Sequence, residues 1–267
     1  MRLVSTLAVL SAVVMLGCGG GGSETVSETT TPSLDTGGLE RLPVVTPSES
    51  PRPLTSQPGA ADAFLREVFA DAQELWRRDF ADGDLRYAPA RLTIFTNQVH
   101  TACGTQSAQA GPFYCPGDRG VYLDSRFFDA LARRVGVGLG DFARAYVIAH
   151  EMGHHVQFQL GIGQRLAAAD RRDPAGKNAR SIDFELQADC LAGVWVHSRY
   201  QRGQLTQEDL DDALRAAAVV GSDFQQLSAT GTIRPEDWTH GSSRQRLHWL
   251  TVGFEEGSPA ACDTSSD

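Results

Sequence analysis

Apolar residues recur at intervals of three and four along most of the chain, which predicts a mainly helical protein. Between residues 61 and 80 they form one stripe: Phe64, Leu65, Val68, Phe69, Ala72, Leu75 and Trp76. The same reasoning predicts further helices over residues 126–135, 141–160, 182–202, 206–220 and 243–255. Residues 91–96 and 121–124 are short strand candidates, separated by a loop at 103–116. The predicted fold class is therefore α+β, mostly helical with a small sheet.

The pattern is different before residue 59. Residues 1–18 contain Arg2, an apolar run and then Gly17 and Cys18, which is the order of a signal peptide with a lipobox-like end. We expect acylation of Cys18 to anchor the protein to the cell envelope, on its periplasmic or outer face; ordinary cleavage nearby is the alternative. Residues 19–58 are rich in Gly, Ser, Thr and Pro, which predicts a flexible linker. Residues 59–267 then form one domain.

The helix predicted over residues 141–160 contains His150, Glu151 and His154 in the arrangement H-E-x-x-H. Residues four apart lie on the same helical face, so both imidazoles can bind one cation while Glu151 flanks the open coordination position. In a helix with an apolar first half, these polar groups cost free energy unless a metal or another partner satisfies them. We expect one zinc ion per chain. Ordinary packed or surface histidines are the alternative.

A catalytic zinc site commonly has three protein ligands. Glu185 and Asp189 lie four residues apart in the helix predicted over 182–202. We expect Glu185 to be the third ligand and Asp189 to accept a hydrogen bond from the outer N–H of a ligand histidine. An exposed acidic helix face is the alternative. A structural role is expected for the remaining histidines, namely His100, His155, His197 and His248.

These motifs resemble those of a known family. Helical H-E-x-x-H followed by helical E-x-x-x-D is the pattern of the gluzincin metallopeptidases, and the chain is more closely similar to the bacterial putative neutral zinc metallopeptidase family. The similarity covers roughly residues 60–264 and lies in segments 103–104, 111–116, 121–124, 146–157, 185–195 and 239–246. It implies a zincin-like metallopeptidase domain with an active-site helix. In gluzincins an edge strand pairs with extended substrate, and residues 120–124 are the expected equivalent.

Residues 239–246 also resemble the T-H-P-x-x-x-x-R segment of the CAAX-prenyl endopeptidase type of gluzincin, with Gly241 in place of the proline. The resemblance implies that His240 donates to the developing oxyanion and that Arg246 positions it. The alternative is a loop histidine near a helix start, because a capping signal follows at Ser242. Other candidate oxyanion donors are Tyr114 and Tyr122.

Four of the five cysteines remain when Cys18 is assigned to lipid. We expect one disulfide between Cys103 and Cys115 and a second between Cys190 and Cys262, although four cysteines allow three connectivities. Disulfides are typical of exported proteins. Zinc binding by cysteine is disfavoured because the sequence contains no C-x-x-C. The formal net charge of −9, without a basic stripe, argues against a nucleic-acid partner.

The sequence predicts a zinc-dependent endopeptidase that acts on extracytoplasmic proteins or peptides, with Glu151 as the general base for a zinc-activated water. Its partners would be a peptide or protein substrate and the membrane. Two alternatives stay open: a non-catalytic, lipid-anchored zinc-binding envelope protein, and a zinc amidase acting on a non-protein amide. The presence of Glu151 favours catalysis, because a purely structural site gains nothing from a base that does not bind the metal.

Overall fold

The computed structural model describes residues 33–45, 61–107, 111–124, 126–135 and 139–265, all within one unit spanning Thr31–Asp267. The helices of these residues are α1 (Ala61–Asp82), α2 (Phe127–Val135), α3 (Asp141–Gln159), α4 (Ile162–Arg172), α5 (Lys177–Gln201), α6 (Gln207–Val219), α7 (Ser222–Thr230) and α8 (Ser243–Glu256). The strands are β1 (Arg91–Phe95), β2 (Gln98–Thr101), β3 (Gly104–Ser107), β4 (Phe113–Cys115) and β5 (Gly120–Asp124). The prediction of a mostly helical α+β fold with a small sheet is confirmed.

Two helices were not predicted, α4 and α7. Gly161 adopts a left-handed conformation with φ of 78°, and Leu160 closes α3 just before it. The chain then begins α4 directly at Ile162, which is fully buried. The buried guanidinium of Arg180 bonds Asp170 near the end of α4 and Asp173 just after it. Helix α5 consequently begins at Lys177 rather than at residue 182.

The sheet overturns one expectation. Its strand order is β1-β5-β4, with β5 parallel to β1 and antiparallel to β4. Residues 120–124 therefore form the central strand, buried at all five positions, and not the edge strand predicted for substrate binding. The edge next to it is β4, within the segment 103–116 that was expected to be a loop. Strands β2 and β3 form a separate antiparallel hairpin.

Helices α3 and α5 pack against each other in the core. Gly153 of α3 lies against the backbone of α5, where a Cβ atom would be 2.9 Å from the carbonyl oxygen of Ala188. That distance is shorter than a normal non-bonded contact, so the side-chain-free residue permits the close approach. Helix α1 packs on α3, and α8 packs along α5. The arrangement brings the H-E-x-x-H face next to Glu185.

The segment 33–45 is packed on the domain, contrary to the prediction of a flexible linker over 19–58. Four of its apolar side chains are buried in the main core: Leu34, Leu39, Leu42 and Val45. The hydroxyl of Thr36 donates to the carboxylate of Asp263 at 2.7 Å, and the Val45 amide donates to the Gly257 carbonyl at 3.0 Å. The prediction rested on Gly, Ser, Thr and Pro composition, which does not register four separate apolar residues that pack into the core. The other residues of the predicted linker, the predicted signal peptide and Cys18 lie outside the described residues.

Both predicted disulfides are present, Cys103–Cys115 and Cys190–Cys262. The first joins the turn of the β2–β3 hairpin to the end of β4, and the second joins α5 to the C-terminal segment. These bonds indicate an extracytoplasmic protein. Within the described part of the chain, every helix is too short or too polar to span a membrane.

Candidate metal centre and active site

Three side chains converge where α3 meets α5. Nε2 of His150 lies 3.3 Å from one carboxylate oxygen of Glu185, and Nε2 of His154 lies 3.5 Å from the other. One ligand atom from each residue can be chosen such that all three lie within 4.8 Å of one another. Two imidazole nitrogens and one carboxylate oxygen are a donor set that suits zinc and leaves a coordination position open. The structure therefore brings together the three predicted ligands.

The outer nitrogen of His150 is held by a charged network. Its Nδ1 lies 2.8 Å from Oδ1 of Asp189, which is fully buried on α5. The guanidinium of Arg246 donates to both oxygens of Asp189, each at 2.8 Å, and the hydroxyl of Tyr146 donates to the same carboxylate at 2.5 Å. A carboxylate behind a ligand imidazole fixes the ring orientation and keeps the inner nitrogen available for metal.

The outer nitrogen of His154 is held by a neutral amide instead. Its Nδ1 lies 2.8 Å from Oε1 of Gln157, one helical turn further along α3. Phe184 stacks on the ring, with 5.0 Å between centroids and 19° between planes. The amide of Gln157 in turn donates to the Phe184 carbonyl at 2.7 Å and to Oε1 of Gln187 at 3.0 Å. Both histidines thus direct Nε2 toward Glu185.

The electrostatics of the three side chains match a cation site. Burial disfavours charge on His150, but Asp189 and Glu185 outweigh it and raise the pKa of the imidazole to about 10. Burial also favours the neutral acid at Glu185, yet His154 and His150 hold the pKa of that carboxyl well below its usual value. The site therefore attracts positive charge, and a metal ion would compete with protons for the same nitrogens.

Glu151 occupies the adjoining position on α3 and is 6% exposed. Burial raises the pKa of its carboxyl. Among the residues that the structure describes, none forms a hydrogen bond or an ion pair with this carboxylate. A buried acid without a hydrogen-bonded partner costs free energy.

A cavity of about 670 Å³ opens over these groups. One wall is formed by β4 and the two residues before it, Gly111 and Pro112. The apolar part of the lining includes Phe127, Leu131, Val147, Phe158 and Phe184. The polar part includes Ser222, Gln225 and His240, from α7 and the loop that follows it. The dimensions suit a peptide-sized ligand.

A sequence model of the putative neutral zinc metallopeptidase family matches residues 38–265. The chain belongs to this family. It is 39% identical over 232 residues to the uncharacterized protein YpfJ of Escherichia coli K12, covering 86% of this chain and 80% of that protein. It is 45% identical over 190 residues to the uncharacterized protein Rv2575 of Mycobacterium tuberculosis H37Rv, covering 67% of this chain and 64% of that protein. No solved structure matches the chain. The family name implies zinc as the metal.

His240 and Arg246, predicted to act together, have different surroundings in this family member. His240 lines the cavity, with Nδ1 2.8 Å from the hydroxyl of Thr239. Arg246 is buried and is bonded to Asp189 and Tyr146 rather than to His240. The expectation that it positions His240 is therefore wrong; its contact with Asp189 makes it part of the support of His150.

The other two candidate oxyanion donors, Tyr114 and Tyr122, also have different surroundings. The hydroxyl of Tyr114 lies on the cavity wall and pairs with Nδ1 of His155 at 2.9 Å. That of Tyr122 donates to Asp118 at 2.8 Å, outside the cavity lining. The other ring nitrogen of His155 contacts the Ala88 carbonyl at 2.9 Å, and burial lowers the pKa of this imidazole to about 4. The packed role predicted for His155 is confirmed.

Sequence reasoning missed two side chains of the site, Tyr146 and Gln157. A signal for both was present, because Tyr146 precedes His150 by four residues and Gln157 follows His154 by three. These spacings place all four on one helical face. Tyr146 lies in the apolar first half of α3, and its hydroxyl is bonded to Asp189 and Arg246.

Proposed function

We propose that this protein is a zinc-dependent endopeptidase with a zincin-like domain, hydrolysing peptide bonds of extracytoplasmic proteins or peptides. The observation that carries the proposal is the unpartnered, buried carboxylate of Glu151 beside His150, His154 and Glu185 in a peptide-sized cavity. A structural zinc site is usually closed by four protein ligands and has no need of a base, whereas three ligands leave a position open for water. A further buried carboxylate that forms no hydrogen bond or ion pair is expected where a reaction requires a proton to be moved.

Zinc bound by His150, His154 and Glu185 would supply Lewis acidity, lowering the pKa of a water molecule and polarising a carbonyl group. Glu151 removes the proton from the attacking water. It then transfers that proton to the nitrogen of the leaving amine, which cannot depart as an anion. Burial raises the pKa of the Glu151 carboxyl, which makes the carboxylate a stronger base toward the attacking water.

Substrate would bind in an extended conformation along β4. This strand pairs with β5 on one side only, and no described strand covers its other edge. An exposed edge offers main-chain donors and acceptors to a peptide. The aromatic rings of Phe158 and Phe184 lie on the same cavity wall, 5.9 Å apart between centroids, and support selection of a large apolar side chain beside the scissile bond.

His240 would donate a hydrogen bond to the oxygen of the scissile carbonyl as negative charge develops there. Its position on the cavity lining, with Nδ1 paired to Thr239, leaves Nε2 as the nitrogen available to substrate. A donor aimed at developing charge contributes mainly in the transition state.

Peptide-library cleavage by purified protein, with and without a chelator, tests the proposal together with the variant Glu151→Gln. We expect cleavage that the chelator abolishes, and a fall in kcat of about 100-fold or more in Glu151→Gln. Zinc should remain bound in that variant at one ion per chain, whereas His150→Ala or Glu185→Ala should lose it. Full activity in Glu151→Gln would overturn the mechanism.

The same assays separate the two competing functions. A zinc-loaded protein that cleaves no peptide, protein or other amide would support a binding role in the envelope. Hydrolysis confined to non-protein amides, such as cell-wall cross-links, would support the amidase. A peptide substrate is favoured over a non-protein amide, because β4 lines the cavity and its free edge suits an extended main chain.

The anchoring of the protein is also proposed. Acylation of Cys18 would tether the domain to the envelope membrane, consistent with the two disulfides. Mass spectrometry of protein from its native membrane should find a lipid on an N-terminal Cys18 and no free thiol. A mature form that starts elsewhere without lipid would exclude the anchor.

A further inference from the structure

A chain of buried amides connects His154 to the C-terminal segment. Gln157 accepts from Nδ1 of His154 at 2.8 Å and donates to Oε1 of Gln187 at 3.0 Å. Gln187 donates to the backbone carbonyl of Cys262 at 3.1 Å. Gln157, Gln187 and Cys262 are all 0% exposed, so no water competes for these bonds. Cys262 is itself bound to Cys190 of α5.

The donor-to-acceptor direction of these hydrogen bonds is fixed by the backbone carbonyls that accept them. The carbonyls of Phe184 and Cys262 can only accept, so the NH₂ groups of Gln157 and Gln187 must face them. The oxygen of Gln157 must then face His154. An oxygen in that place requires a proton on Nδ1, and the neutral ring keeps its lone pair on Nε2. The amide orientation therefore fixes the metal-binding tautomer of His154.

We propose that Gln157 and Gln187 are positioning residues which make metal retention at His154 depend on the Cys190–Cys262 disulfide. The proposal rests on the zinc site of the proposed function. The disulfide ties the Cys262 carbonyl to the helix that also carries Gln187. That carbonyl orients the Gln187 amide, and Gln187 orients Gln157. His150 has no such dependence, because the carboxylate of Asp189 holds it.

Reduction of the Cys190–Cys262 disulfide would act on His154 through these hydrogen-bonded amides. A dithiol supplies two electrons and two protons, becomes a disulfide itself, and leaves the thiols of Cys190 and Cys262. The C-terminal segment keeps a second tie, since the Thr264 hydroxyl donates to the Asp183 carbonyl at 2.8 Å. Reduction therefore loosens the Cys262 carbonyl rather than releasing it, and its effect on zinc affinity should be smaller than that of removing Gln157.

Zinc affinity, measured by competition with a chelator, tests the dependence. Gln157→Met keeps the length of the side chain and removes all three of its hydrogen bonds; we expect zinc to bind about 10- to 100-fold more weakly. Gln157→Glu restores the acceptor for His154 and should recover part of the loss. Gln187→Met and the double variant Cys190→Ala/Cys262→Ala should each weaken binding by about 3- to 10-fold.

Two matched controls lie outside this network of amides. Gln159→Met removes a glutamine two residues along α3, whose side-chain amide hydrogen-bonds the backbone of Ala88, and should leave zinc affinity unchanged. The double variant Cys103→Ala/Cys115→Ala removes the other disulfide and should also leave it unchanged. Circular dichroism of the zinc-free variants establishes that each is folded. Nitrogen-15 NMR of the His154 ring should show Nδ1 protonated in the unmodified protein and a mixture of tautomers in Gln157→Met.

Wild-type affinity in Gln157→Met, or equal losses on removing either disulfide, would overturn the inference. Because these measurements need no substrate, they are independent of peptidase activity. A protein whose zinc affinity depends on these amides but which cleaves nothing would contradict only the proposed function. One that cleaves peptides and binds zinc equally well without Gln157 would contradict only the present inference.

Discussion

Nδ1 of His150 lies 2.8 Å from Oδ1 of Asp189, and the same carboxylate receives Arg246 and Tyr146. One buried carboxylate thus joins a ligand imidazole to a buried guanidinium. Asp189 faces His150⁠ and Arg246 at once, and the negative charge that it provides is balanced from both sides. Removing that charge leaves Arg246 without its counter-ion and His150 without its orienting acceptor.

Asp189→Asn tests this relationship in two ways. Zinc affinity should fall by about 10- to 100-fold, the usual scale for losing an outer partner of a ligand histidine. The free energy of unfolding should fall by about 3–5 kcal/mol, because a buried cation is left uncompensated. Chelator competition and urea denaturation measure the two effects. Asp211→Asn, on the exposed face of α6, is the matched control; equal behaviour of the two variants would contradict the assigned role of Asp189.

Two pairs of site residues could be predicted from sequence because each pair depends on spacing within one helix, whereas the meeting of the two pairs depends on how α3 packs on α5. His150 and His154 are four residues apart, as are Glu185 and Asp189, and both helices formed where apolar periodicity placed them. Spacing within one helix fixes which side chains share a face. The two disulfides were expected for a different reason, since assigning Cys18 to lipid leaves four cysteines to pair; their count alone allowed three connectivities.

Features that depend on contacts between distant segments could not be predicted. The partner of Arg246 is 57 residues away, and its choice of Asp189 over His240 follows from how α8 packs on α5. The position of β5 in the centre of the sheet depends on β4, whose three residues lie in a Gly- and Pro-containing stretch. Residues 33–45 were read as linker because four apolar anchors in a polar segment carry no periodicity.

The role of His240 is tested by His240→Ala. If the imidazole donates to the oxyanion, its contribution is confined to the transition state, so kcat should fall by about 100- to 1000-fold. Zinc content and the unfolding midpoint should not change, because His240 is neither a ligand nor a core residue. His100→Ala on the β2–β3 hairpin is the control and should retain full activity. Loss of zinc in His240→Ala would instead assign the residue to the metal site, and an unchanged kcat would direct attention to Tyr114.

A buried acid away from the site provides a separate test of the fold. Asp79 on α1 is 3% exposed, and one of its carboxylate oxygens has no hydrogen-bond partner among the described residues. Burial, with a smaller contribution from the nearby charge of Asp82, raises the pKa of this carboxyl to about 7. The unfolded chain releases the same proton near its ordinary pKa of about 3.9. The folded state therefore binds this proton more tightly than the unfolded state does.

Stability contributed by protonated Asp79 is present at low pH and is lost as pH rises toward 7. Between about pH 4 and pH 7 the loss should approach 1.4 kcal/mol per pH unit, the value for one proton. Asp79→Asn cannot ionise, so the free energy of unfolding of the variant minus that of the unmodified protein should increase over this range and level off above pH 7. Urea denaturation of both proteins at pH 5, 6, 7 and 8, after zinc removal, measures the difference and cancels the titration of the histidines. Asp62→Asn, exposed on the same helix, should show a difference that does not vary with pH. A constant difference for Asp79→Asn as well would mean that Asp79 is ionised in the folded protein throughout.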